Sequence, residues 1–126
     1  MFFKKRSTRE IGAYGEKAAA KFLKKKGYKI KKMNFLSTHG EIDIIAENKN
    51  CLVFVEVKSR KNSEENFSKY GLPCEAVNRE KQKHIVYTAR HYLNLFPTKK
   101  EMRFDVIEVY LGDKIEINHI ENAFST

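Results

Sequence analysis

The spacing of apolar and polar residues changes period several times along this chain, and each change marks an element. From Ser7 to about Lys26, apolar and small residues recur at helical spacing. Ile11, Gly12, Gly15, Ala19, Phe22 and Leu23 fall on one face, with Lys17, Lys21, Lys24 and Lys25 opposite. Ser7 and Glu10 stand at capping-box spacing at its start, and Gly27 supplies the stop. Tyr28 to Phe35 alternates loosely and carries several lysines, which predicts a strand at or near a sheet edge. Strands follow at Glu41–Glu47 and Cys51–Ser59, separated by the turn-forming residues Asn48-Lys49-Asn50, so these two form a hairpin.

Residues 60–72 are polar and long for a connector, and read as a mobile loop. A second helix spans about Asn78 to Phe96 and ends before Pro97. Its stripe of Ile85, Val86, Ala89, Tyr92, Leu93 and Phe96 has core spacing. Met102–Leu111 and Lys114–Glu121 are strands around a Gly112-Asp113 turn. The expected fold is a single α/β domain over residues 1–126, with 1–7 as a tail. It has a mixed five-stranded sheet flanked by helices, in the order α-β-β-β-α-β-β. A helix between the third and fourth strands allows those two to run parallel.

The hairpin fixes a register. If Lys49 and Asn50 are the loop, counting outward sets Asp43 opposite Glu56 and Glu41 opposite Lys58, and period-two alternation places all four on one face. Both runs, Ile42 to Ala46 and Leu52 to Val57, are otherwise apolar. Two carboxylates and an ammonium in such surroundings are costly unless something compensates them, and a divalent cation would. Magnesium accepts one or two protein carboxylates with waters and substrate phosphate in its other positions, and it lowers the pKa of bound water. Asp43 and Glu56 supply such ligands, the Val57 carbonyl is a further candidate, and Lys58 projects to the same side to orient water or offset phosphate charge.

Composition sharpens this picture. The chain of 126 residues holds 41% hydrophobic and 33% charged residues and carries a net charge of +9, from 25 Lys and Arg against 16 Asp and Glu. That balance favours polyanionic partners such as nucleic acid. Arg60, Lys81, Gln82 and Arg103 are the candidates for phosphate contacts, and Asp105 has an arginine two residues away as a ready partner. The basic N-terminus lacks the apolar core of a signal peptide, and no run approaches the length of a membrane span, so a cytoplasmic location with no membrane partner is expected. Cys51 and Cys74 have no metal-ligand spacing and read as reduced thiols. The four histidines show no zinc spacing, and no glycine-rich nucleotide loop or nucleophilic Ser or Cys motif is present.

At the level of motifs, Asp43 followed by Glu56-Val57-Lys58, with a preceding helix carrying Glu16, resembles the PD-(D/E)xK nuclease superfamily, in particular its archaeal Holliday-junction resolvase branch. The residues Gly12-x-x-Gly15-Glu16, Asn34, Gly40-Glu41-Ile42-Asp43, Phe54-Val55-Glu56-Val57-Lys58-x-Arg60, Arg103-Phe104-Asp105-Val106-Ile107 and Asn122-Ala123-Phe124 are together similar to the YraN-like proteins, over nearly the whole chain. The superfamily likeness implies a restriction-endonuclease-like fold and a nuclease site at Glu16, Asp43, Glu56 and Lys58, using Mg²⁺ or Mn²⁺, with Glu16 as a further ligand candidate. Ile42 stands where the superfamily pattern has proline.

The expected function is therefore metal-dependent hydrolysis of nucleic-acid phosphodiesters, on DNA before RNA and including branched DNA. The alternative is a nucleic-acid-binding factor that keeps the fold without turnover. The junction-resolvase analogy makes a homodimer a further expectation, although no periodicity marks an interface. On local pattern alone Glu16 is a boundary residue of an amphipathic helix, and Glu41 is an ion-pair partner for Lys58.

Overall fold

The computed structural model describes residues 8–61 and 77–125. Its elements are α1 (Thr8–Lys25), β1 (Lys29–Ser37), β2 (Gly40–Glu47), β3 (Cys51–Lys61), α2 (Arg79–Leu95), β4 (Glu101–Leu111) and β5 (Glu116–Phe124). Order and type match the sequence reading throughout. Ser7 and most of the expected 60–72 loop lie outside the described residues. Arg60 and Lys61 instead continue β3, because the parallel ladder with β4 runs on through Arg60↔Tyr110 and Lys61↔Leu111.

The five strands lie in the order β1-β2-β3-β4-β5, antiparallel except for the central β3–β4 pair. That parallel pair requires a crossover, and α2 lies within it. β1 is at the edge, as its lysines suggested, with Lys29, Lys31 and Lys32 exposed. Gly27 adopts a left-handed φ of 99° at the end of α1, and the Tyr28 N–H donates to the Leu23 carbonyl at 2.9 Å, which closes the helix.

Two cores form on opposite faces of the sheet. Ala19, Ala20 and Leu23 of α1 pack against Ile44, Ala46, Val53, Val55, Ile107 and Val109. Ile85, Ala89 and Tyr92 of α2 pack against Phe35, Ile42, Ile45, Leu52, Phe54, Phe104, Val106 and Phe124. Phe96, expected in that second core, is 55% exposed, because the helix ends at Leu95 and releases it. Gly15 lets α1 sit close to β3: a Cβ there would fall 1.8 Å from Ser59 Oγ. Gly12, read from sequence as a second contact point of this kind, faces open space.

Asn78 caps α2 by accepting a hydrogen bond from the Lys81 N–H at 2.8 Å. Thr88 Oγ1 lies 2.7 Å from Ser37 Oγ, tying the helix to the β1–β2 turn. The cap orders the start of α2, and the Thr88 contact ties its middle to the sheet. Among the described residues, no helix is long and apolar enough to cross a membrane.

Candidate functional site

The β2–β3 register is the one counted from the turn: Ile44↔Val55, Ile45↔Phe54, Ala46↔Val53 and Glu47↔Leu52. Asn48 organises the two-residue loop, its side chain accepting from the N–H groups of Asn50 and Cys51 at 2.9 and 2.8 Å. The ladder stops short of Asp43 and Glu56. There the Asp43 carboxylate takes over, accepting the Val57 N–H at Oδ2 over 2.8 Å.

Simple alternation does not hold at this point. Ile42 joins the α2 core, Ile44 the α1 core and Ile45 the α2 core again, so β2 changes face at Asp43. Its neighbour β1 does the same: Phe35 packs on the α2 side, Met33 on the α1 side, and Asn34 between them has a left-handed φ of 52°. Asn tolerates that conformation better than most side chains. The bend directs Asp43 toward its neighbours by a route that period-two counting does not contain.

Asp43 and Glu56 are 7% and 6% exposed. Burial first, then the charge and hydrogen bond of the neighbouring Glu56 and the charge of Glu16, raise the Asp43 pKa to about 8 against the lowering effect of the Val57 N–H. Glu16, half-buried on α1, is also raised, first by burial and then by the charges of Glu41 and Glu56, while hydrogen bonding to Asn34 and Asp43 works against it. Three carboxyl groups from α1, β2 and β3 thus share one electrostatic neighbourhood.

Two ammonium groups answer this charge. Lys58 Nζ lies 3.5 Å and Lys81 Nζ 3.6 Å from the same oxygen, Glu56 Oε2. Lys58 therefore pairs with Glu56 rather than with Glu41, since it is two residues along the same strand face and its stem folds back. Lys81, read from sequence only as a phosphate contact, is brought here by the crossover helix. No local signal could have placed it.

The other expected contacts are elsewhere. Gln82 donates from Nε2 to the Val77 carbonyl at 2.8 Å and serves the start of α2. Arg103 forks onto Asp105, with Nε and Nη2 each 2.9 Å from a carboxylate oxygen, and is held in a structural network with Tyr28 on the α1 side. Arg60 lies at the end of β3, its Nη1 3.5 Å from the Ser59 carbonyl.

The donor set suits a hard cation. In an extended strand the N–H and C=O of one residue point to the same side, so Val57 directs its carbonyl as well as its N–H toward Asp43. Among the described residues, no three His, Cys, Asp or Glu side chains are gathered closely enough to form a metal cage. An ion held by one or two carboxylates, a carbonyl and waters needs no such cage.

Comparison with known proteins places the whole arrangement in one family. The model of the uncharacterised protein family UPF0102 matches residues 15–109, from Gly15 of α1 to Val109 of β4. A UPF0102 protein of Clostridium acetobutylicum is 48% identical over 94% of this chain and 97% of its own length. One from Caldanaerobacter subterraneus is 48% identical over 96% and 99%, and one from Clostridioides difficile 48% identical over 94% and 99%. With likeness of that extent on both sides, the chain belongs to the UPF0102, or YraN-like, family.

Proposed function

We propose that this protein is a metal-dependent nuclease that hydrolyses phosphodiester bonds of nucleic acid, preferring DNA and including branched forms. The observation that carries the reading is the carboxyl pair of Asp43 and Glu56, in which burial first and the neighbouring carboxyl second lift the Asp43 pKa to about 8, and which two ammonium groups face. A fold gains nothing in stability by burying two like charges side by side, so a pair of this kind points to a bound cation and to function.

Asp43, Glu56 and the Val57 carbonyl would hold Mg²⁺ or Mn²⁺, with Glu16 supporting them from α1. When bound, such an ion supplies Lewis acidity and a water of lowered pKa. Lys58 then offers a compact positive charge to the scissile phosphate, and Lys81 a second one from α2. An open groove lined by His39, Arg79, Glu80, Lys83, His84 and Tyr87, with two basic side chains against one acidic one, runs beside the same helix. Its cationic and aromatic residues fit a polyanionic chain, in keeping with the net charge of +9.

The test is cleavage of duplex, junction, flap and single-stranded DNA and of RNA, with Mg²⁺ or Mn²⁺, by wild type, Asp43→Ala and Lys58→Ala. Wild type should cut at least one substrate, and each variant should lose at least about a hundredfold in rate, on the order of 3 kcal/mol of barrier. If wild type cuts none while Asp43→Ala binds the same oligonucleotides equally or more tightly, the protein is a binding factor on a nuclease fold and the proposal fails.

A further inference from the structure

Glu108 lies on β4 as the direct partner of Lys58 on β3, in a parallel ladder where facing residues share a side of the sheet. It is 3% exposed, between Ile107 and Val109, which are buried completely. One carboxyl oxygen, Oε1, accepts a hydrogen bond from Asn118 Nδ2 at 2.8 Å, which fixes the group. The other, Oε2, is buried and has no hydrogen-bond partner among the described residues.

A buried carboxyl oxygen without a partner is expensive, and it invites a donor. Its own cross-strand neighbour, Lys58, carries a mobile donor on that face. Adjacent strands stand about 4.8 Å apart, well within the reach of a lysine stem. Lys58, however, sits against Glu56 Oε2, together with Lys81.

Glu56 Oε2 is also one of the carboxylate oxygens that a divalent ion between Asp43 and Glu56 would approach. A cation and two ammonium groups cannot share it without strong like-charge repulsion. We infer that Glu108 is a positioning residue for Lys58: its free oxygen accepts the Lys58 ammonium when a divalent cation takes Glu56, so that the lysine stays on the site face instead of competing with the ion. This rests on the metal-site reading above and adds to it a second position for Lys58, set by Glu108 and Asn118.

The test measures Mn²⁺ binding by calorimetry and by Mn²⁺ electron paramagnetic resonance, in wild type, Glu108→Gln, Lys58→Ala and the double variant, with no substrate present. Far-ultraviolet circular dichroism confirms that each variant is folded. Glu108→Gln should weaken Mn²⁺ binding by roughly tenfold, because Lys58 then remains on Glu56. In the Lys58→Ala background the same substitution should change the affinity less than about twofold, a coupling that a double-mutant cycle isolates. A purely structural Glu108 would weaken binding equally in both backgrounds, and that result overturns the inference, as does wild-type affinity in Glu108→Gln. Should wild type bind no Mn²⁺ at millimolar concentration, the metal-site reading itself fails, and the two failures are told apart.

If Glu108→Gln does not fold, Asn118→Ala provides the same measurement from the surface side, since it frees Oε1 and loosens the group. It should weaken Mn²⁺ binding in the same direction and again only while Lys58 is present. Unchanged affinity in that variant counts against the assignment.

Discussion

Asp43 and Asp105 are both buried aspartates on neighbouring parts of one sheet, and their surroundings push them in opposite directions. Asp105 has every oxygen lone pair answered: Arg103 forks onto both oxygens, His119 Nε2 lies 2.7 Å from Oδ2, and the Asn122 N–H donates to Oδ1 at 2.9 Å. Burial would raise its pKa, but hydrogen bonds from His119 and Arg103 outweigh it and hold the carboxyl below the ordinary range. Asp43 has one backbone N–H, a carboxyl neighbour and a second acid close by, and is raised. The first buried carboxyl is fully compensated by its neighbours, and the second is not.

The largest expected effect lies on the satisfied side. Asp105→Ala leaves the Arg103 guanidinium, 17% exposed, without its partner and strips the acceptor from His119 and Asn122. Urea denaturation should show a loss of about 3–5 kcal/mol. A loss below 1 kcal/mol would mean that the network is ornament, and the contrast with Asp43 would collapse.

On the other side the sign reverses. Asp43 titrates near 3.8 in the unfolded chain and near 8 in the fold, so the folded state holds the extra proton between those values. Its contribution to stability is complete below about pH 4 and is lost as pH rises through 8. Asp43→Asn removes that loss. Without divalent ions it should stabilise the protein by on the order of 2 kcal/mol at pH 9 and by much less at pH 5, as read by thermal or urea unfolding. Equal effects at both pH values would show that crowding at Asp43 is not electrostatic.

Addition of millimolar Mn²⁺ should then raise the midpoint of wild type and leave Asp43→Asn nearly unmoved, since a ligand stabilises only the state that binds it. The smallest effect concerns what brings Lys81 to this cluster. Asn78→Ala removes the cap of α2 and should cost about 1 kcal/mol. It leaves Asp105 untouched, so its denaturation curve should add to that of Asp105→Ala with no interaction energy.

Much of this was legible in the sequence because its causes are local. A two-residue loop at Lys49-Asn50 fixes the β2–β3 register by counting, and Gly27, Asn78 and Pro97 punctuate the helices where they stand. The likeness of spaced motifs carried the family. What could not be read depends on contacts between elements distant in sequence. Lys81 meets Glu56 only because α2 spans the crossover, and Tyr28, far away in sequence, joins Arg103, whose pairing with Asp105 two residues on was legible. The face change at Asn34 and Asp43 was hidden for another reason: a left-handed asparagine looks like any other in a strand. Glu108 did leave a trace, as a charge inside the apolar run from Val106 to Leu111, but without the β3–β4 pairing it had no neighbour to explain it.

The turn at Lys49-Asn50 also sets an order of assembly. Asp43 and the Val57 N–H it accepts are 14 positions apart, within a hairpin of the size that closes in about 1–10 μs. Lys81 arrives only when the chain between β3 and β4 has crossed over and α2 has docked, a slower, long-range event. During folding the two acids therefore meet before the α2 ammonium that tempers them is in place. A chain refolding at high pH should feel their repulsion as a slower first step, relieved by divalent cations in the refolding buffer.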